Sequence, residues 1–273
     1  KEIKPEVVFE ANTLGSFVHH AMEYLYKTYL GCDGKAPKKV TAEQIETLYE
    51  EIKLSAALNY AYKQMNEEWE KEYHEANHYD SNLHKAENKV IFEYIYHILR
   101  KDQDDASKYS LSIYGLEADR EIPLPIEGVG DIRIGGTIDR LDLIEEGSTQ
   151  RMRVIDYKSG VYKDDTHKKK MTATWEELMT DENKGYVRQT MMYSYAVEQS
   201  LKVESQELKV EPHLYSCSKD LLSDNTNTSI ELEQLTAKAK ELLTTTDFPQ
   251  CEENECPSFC EFFKLCNRKP NEF

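Results

Sequence analysis

Gly135-Gly136-Thr137-Ile138-Asp139-Arg140 and Val154-Ile155-Asp156-Tyr157-Lys158-Ser159-Gly160 are the two stretches on which the reading of this chain turns. Each contains aliphatic or β-branched residues of the kind found in buried strands, and Glu145-Glu146-Gly147-Ser148 between them has turn chemistry. Consecutive strands joined by a tight turn pair antiparallel, so an Asp on one and an Asp-x-Lys on its neighbour can bring two carboxylates and an ammonium to one point. Within Asp156-Tyr157-Lys158 the two-residue period of a strand puts Asp156 and Lys158 on one face and Tyr157 on the other. Converging carboxylates repel unless a cation neutralises them, and oxygen ligands select magnesium, manganese or calcium over softer metals. Taken singly, Asp139-Arg140 would pass for a surface ion pair and Asp156-x-Lys158 for a half-exposed strand edge. Their conjunction predicts a divalent-metal site with Lys158 beside it.

The surroundings of this pair set the fold class. Upstream, Leu111 to Ile122 is rich in strand-forming residues, Gly128-Val129-Gly130-Asp131 is a turn, and Ile132 to Ile144 alternates apolar with polar, so three strands in succession form a meander. Before them lie three helical stretches. Thr13 to Leu30 places Leu14, Phe17, Val18, Ala21, Met22, Leu25 and Tyr29 on one face, and similar spacings recur from about 41 to 72 and 82 to 101. After them come a polar segment from Val161 to Lys184, read as loop plus a short helix, then a helix over about 186–201, a strand near 208–216 and a helix over 231–243. This order predicts an α/β domain with a central mixed β-sheet flanked by helices, an N-terminal helical elaboration and a cysteine-containing C-terminal tail. The expected division is one domain over 1–250, with a helical insertion at about 36–105, and a tail over 251–273.

The whole chain, 273 residues with a net charge of −17, has no apolar run long enough to span a membrane. Such acidity argues against general adhesion to nucleic acid. Arg151 to Lys170 is the exception, with seven basic against three acidic residues. Lys168, Lys169 and Lys170 are therefore the DNA-binding candidates, in a segment read as a lid that guides a strand. There is no Gly-x4-Gly-Lys-[Ser/Thr] phosphate loop, which removes an NTPase from consideration. The start lacks both an initiator Met and a signal-peptide pattern, so the expectation is a piece of a longer cytoplasmic protein. Cys251, Cys256, Cys260 and Cys266 crowd into the last 23 residues, a clustering that favours metal ligation in a reducing compartment over disulfides.

Gly-x-x-Asp-Arg at 136–140 followed by Ile155-Asp156-Tyr157-Lys158-Ser159-Gly160 resembles the core signature of RecB-like nucleases of the PD-(D/E)XK superfamily, the group that includes the RecB and AddB nuclease domains. Two further elements follow the same family order: Gly15-x-x-x-His19 on the first helix and Gln189-x-x-x-Tyr193 on the helix after the Asp-x-Lys strand. The resemblance implies a restriction-endonuclease-like core and metal-dependent hydrolysis of DNA, by an exonuclease rather than an endonuclease. It names His19, Asp139, Asp156 and the Tyr157 backbone carbonyl as ligands of Mg2+ or Mn2+. It makes Lys158, with Asp139 and Asp156, the catalytic set, and it has Gln189 hold substrate or position Lys158 while Tyr193 supports the same wall. It further implies DNA and a helicase domain or subunit as partners, in bacterial repair or recombination. Some relatives hold a 4Fe-4S cluster with one upstream Cys and a C-terminal Cys-x2-Cys-x5-Cys. Here the spacing is Cys256-x3-Cys260-x5-Cys266 with no Cys before Gly15, so Cys251 is the local alternative for a fourth ligand, and zinc or free thiols stay open. A DNA-binding scaffold that kept the fold and lost catalysis is the other functional reading.

Overall fold

A computed structural model describes residues 9, 11–75, 78–159, 176–177, 185–203, 208–217 and 232–246. Lys168 to Lys170 and the four clustered cysteines lie outside these residues, as does the 161–184 segment apart from Glu176 and Glu177. The larger of two compact units comprises 1–124 and 133–231, and the smaller comprises 125–132 and 232–273.

In the larger unit the first amphipathic stretch forms α1 (Ala11–Leu25) and then widens into one π-helical turn, Tyr26–Leu30, closed by Gly31 in the left-handed conformation. The second stretch divides into α2 (Ala42–Glu46), a 3-10 turn and α3 (Glu51–Tyr73). The α2 start is set by a capping box, in which Thr41 Oγ1 accepts from the Gln44 N–H and Gln44 Oε1 accepts from the Thr41 N–H. The third helix, α4 (Lys85–Lys108), runs a full two turns beyond the predicted end near residue 101.

A five-stranded sheet has the order β1 (Lys38–Val40), β2 (Ser110–Ile126), β3 (Gly130–Glu146), β4 (Thr149–Lys158), β5 (Lys209–Ser216). β1 pairs antiparallel with β2, and β3 with β4 in the register Arg140 opposite Ile155, whereas β5 pairs parallel with β4. The sheet is therefore mixed, as predicted. β1, three residues long, carries too little pattern to be read from sequence. Between β4 and β5 in the chain stands α5 (Gly185–Val203), the crossover helix that a parallel pair needs.

Strand alternation sorts the core onto two faces. On one face Ile144, Ile155 and Tyr215 join Phe17, Leu25, Ile95 and Leu99 from the front helices in a single apolar cluster. On the other, Leu141, Met152 and Val154 pack with Val197 and Leu201 of α5. The first face also buries charge. Arg140, with no exposed surface, donates to both carboxylate oxygens of Asp102 at 2.6 and 2.7 Å and to both of Asp142 at 2.7 Å. Arg153 donates to Asp142 at 2.7 Å and to Asp105 at 2.6 Å, and Lys101 reaches Asp105 at 2.6 Å. Burial works against the Arg140 charge, but Asp102 and Asp142 outweigh it and hold its pKa well above the ordinary value. Burial drives the Asp102 carboxyl upward against the pull of the same guanidinium; with both oxygens bonded to it, we take the pair as ionised.

In the smaller unit the tip of the β2–β3 hairpin and α6 (Leu232–Thr244) are described, with Lys240 Nζ 3.8 Å from Glu127 Oε2 and Leu235 buried. No described helix is long and apolar enough to cross a membrane.

Candidate metal centre

The antiparallel register that sets Arg140 opposite Ile155 puts the preceding Asp139 beside Asp156, next along β4. Asp139 Oδ2 accepts from the Tyr157 N–H at 2.6 Å, which pins the carboxylate across the strand pair. Lys158 lies on the Asp156 face, its Nζ donating to Asp156 Oδ1 at 2.9 Å and lying 2.7 Å from Oδ2. Oδ2 itself is buried and accepts no hydrogen bond of good geometry. Lys158 Nζ also donates to Gln189 Oε1 at 3.1 Å, and Gln189 Nε2 donates to the Tyr193 hydroxyl at 2.9 Å. The two residues of the Gln-x-x-x-Tyr element are thus a chain of contacts leading to Lys158, one helical turn apart on α5.

His19 arrives from α1. Gly15, one turn earlier, fits the approach: a Cβ there would sit 2.9 Å from Ser159 Oγ at the end of β4, so a larger residue would require the Ser159 side chain or the helix to shift. His19 Nε2 lies 3.4 Å from the Tyr157 carbonyl oxygen, and Nδ1 faces Asp139 Oδ1 at 3.5 Å and Glu117 Oε1 at 3.7 Å. With the proton on Nε2 shared with that carbonyl, Nδ1 keeps a lone pair toward the acids. Among the described residues His19, Glu117 and Asp139 form a group whose ligand atoms all lie within 4.8 Å of one another. Asp156 stands outside this tight group, paired with Lys158.

Glu117 is the residue that the sequence reading misses. It projects from the middle of β2, at a backbone φ of 46° that is uncommon for a residue with a side chain. Nothing beside it in sequence marks it among 51 acidic residues.

Crowding shows in the proton affinities. Burial first, then Asp139 and Glu23, push the Glu117 carboxyl up to about 8. Burial and Asp139 lift Asp156 to about 7 against the opposing pull of Lys158. Burial raises Asp139 to about 6, resisted by the Tyr157 N–H and Lys158. His19 is lowered by burial, which keeps its imidazole neutral. Two buried carboxylates and the partly buried Glu117 held at one place, each unfavourable as an anion, make a site whose electrostatics call for a cation. Two cysteines lie near the core, Cys32 and Cys217, both buried, their thiols pushed by burial to about 11 and about 12.

A family model of the PD-(D/E)XK nuclease superfamily matches residues 2–267. The chain belongs to that superfamily. No curated protein matches it. Membership in the PD-(D/E)XK nuclease superfamily implies metal-dependent nuclease activity on DNA, and the mixed sheet flanked by helices is the fold expected of it. The donor set agrees with a PD-(D/E)XK centre on independent grounds: carboxylate oxygens and one imidazole suit a hard divalent cation, and the buried Asp156 Oδ2 has the Lys158 ammonium 2.7 Å away but no hydrogen bond of good geometry.

Proposed function

We propose that this chain is a Mg2+- or Mn2+-dependent deoxyribonuclease of the RecB-like branch, acting as an exonuclease within a helicase–nuclease type repair or recombination protein of a bacterial cytoplasm. The observation that carries the reading is the meeting of His19, Asp139 and Glu117 beside Asp156, whose Lys158 is held in turn by Gln189. The cation would be held by His19, Asp139 and Asp156, with Glu117 as a further ligand. The Tyr157 carbonyl, named by the resemblance, is here turned to His19 Nε2. When bound, such a cation polarises the scissile phosphate and lowers the pKa of a water bound to it.

The chain's own groups supply the rest. Lys158, fixed between Asp156 and Gln189, presents an ammonium to a phosphate oxygen and stabilises the charge that grows there. Gln189 and Tyr193 keep that ammonium from turning away. Asp156 Oδ2 and the acids opposite are preorganised before any ligand arrives, so little reorganisation is left for the reaction. Lys168, Lys169 and Lys170 are proposed to receive the phosphate backbone, and the cysteine tail to hold an iron–sulfur cluster or zinc.

Cleavage of linear single- and double-stranded DNA, with Mg2+, Mn2+ or EDTA, tests the reading on the wild type, Asp156→Ala and Lys158→Ala. Metal-dependent cutting that both variants lose by about 1000-fold or more is expected. A folded protein that binds DNA and never cuts it would establish the scaffold reading instead.

A further inference from the structure

Arg140 uses every N–H of its guanidinium. Besides the four bonds to Asp102 and Asp142, Nη1 lies 3.1 Å from the Tyr26 hydroxyl and 3.1 Å from the Tyr157 hydroxyl. Tyr26 also donates its hydroxyl to Asp102. These partners come from the π-helical turn that continues α1, from α4, from β3 and from β4, and α1, β3 and β4 carry the candidate ligands His19, Asp139 and Asp156. Tyr26 follows His19 by seven residues, two turns of helix and therefore nearly the same face. Arg140 directly follows Asp139. Tyr157 directly follows Asp156.

At Tyr157 the buried network meets the metal centre. Its phenol is on the Arg140 side of the sheet, while its peptide lies on the site: the N–H donates to Asp139 Oδ2 at 2.6 Å and the carbonyl faces His19 Nε2 at 3.4 Å. Its ring also meets the His19 ring edge-on, centroids 5.6 Å apart. A shift of the phenol therefore moves Asp139 and His19 together.

We propose that Arg140, anchored by Asp102 of α4, is a positioning residue that sets the cation affinity of the site by fixing Tyr157 from behind the sheet. The inference rests on the metal-site reading above. Ligands must be placed to within a few tenths of an ångström, and partners that orient a ligand govern affinity by about 10- to 100-fold when removed. α4 thereby becomes part of the site's framework although none of its residues faces the cation. Lysine cannot replace Arg140, because one ammonium cannot reach two carboxylates and two phenols in a plane.

Mn2+ binding to the metal-free chain, measured by titration calorimetry for wild type, Tyr157→Phe, Asp102→Asn and the double variant, decides it. Tyr157→Phe removes only a hydroxyl and keeps the ring that fills the core, so it reports even where Asp102→Asn unfolds the protein. The expected result is Mn2+ binding weakened about 10-fold by Tyr157→Phe with near-wild-type melting, and by a similar factor in Asp102→Asn. The double variant should lose less than the product of the two, since both act through one guanidinium. The DNA cleavage rate of Asp102→Asn should recover as Mn2+ approaches saturation, which a merely loosened fold would not show. Variants that melt earlier yet bind Mn2+ as wild type does would overturn the positioning role while leaving the metal site intact. A wild-type chain that takes up no Mn2+ would overturn both.

Discussion

Glu117 pays a conformational cost to be where it is, since its φ of 46° disfavours any side chain by about 1 kcal/mol. Glu117→Gln keeps its shape and removes its charge. Calorimetry should show Mn2+ affinity falling about 10-fold, while the metal-free variant melts higher than wild type at pH 8; an unchanged affinity would remove Glu117 from the ligand set. The proton affinities give a second expectation. In the unfolded chain these acids titrate at their ordinary values near 4, whereas in the folded, metal-free protein Asp156 and Glu117 hold protons up to about 7 and about 8. The folded state thus binds more protons through that window, and the stability these groups contribute is lost as pH rises through it. His19 and His213, both lowered by burial, work in the opposite sense below about pH 6.5, so the clean window is 6.5 to 8. Thermal melts in EDTA should fall across it, and saturating Ca2+ should flatten the slope. Asp139, Asp156 and Lys158 were open to recognition in the sequence because local spacing and strand alternation place them. Glu117 was not, because its neighbours in space come from α1 and β3, 98 and 22 residues away along the chain.

At the scale of elements, the legible parts were those with a period. α1, α5, α6 and the β2–β4 meander follow apolar spacing closely. α4 was cut short because Asp102, Asp104 and Asp105 look like the exposed end of a helix, whereas Asp102 and Asp105 are buried against Arg140 and Arg153. A buried acid is invisible until its partner from another element is known. Arg153→Met should accordingly cost about 2–3 kcal/mol in chemical denaturation, because it removes one of the two cations that each of the buried acids Asp105 and Asp142 is paired with, leaving Lys101 and Arg140 as the remaining partners. A loss below about 1 kcal/mol would mean that the pairing is dispensable. Gly135 makes a comparable demand on the β2–β3 hairpin. Its φ is 127°, and a Cβ there would lie 1.9 Å from the Arg120 carbonyl oxygen. Gly135→Ala should therefore lower the denaturation midpoint by the equivalent of about 2 kcal/mol or more, and a neutral outcome would contradict this strand geometry.

For the molecule as a whole, a net charge of −17 sets long-range repulsion against a polyanionic substrate, so productive binding must be local and cation-assisted. If Lys168, Lys169 and Lys170 receive phosphates, replacing all three with Gln should reduce the slope of log affinity against log salt by about 2 to 3. Fluorescence anisotropy with a labelled oligonucleotide in Ca2+ checks this, and an unaltered slope would move the contact elsewhere. Fold class was readable at this scale from the order of helices and strands. The way one guanidinium ties the π-helical turn after α1 to α4, β3 and β4 was not, since a single Arg in an Asp-Arg pair has no sequence context that reveals four partners.

The burial of Cys32 and Cys217 has a practical consequence for chemical labelling. With thiols that ionise only near 11 and 12 and no exposed sulfur, neither should be alkylated in the folded protein at pH 8. Any label that iodoacetamide leaves on the native chain then belongs to Cys251, Cys256, Cys260 or Cys266. Mass spectrometry of the alkylated peptides would count how many of those four are reactive, without a single cysteine being mutated.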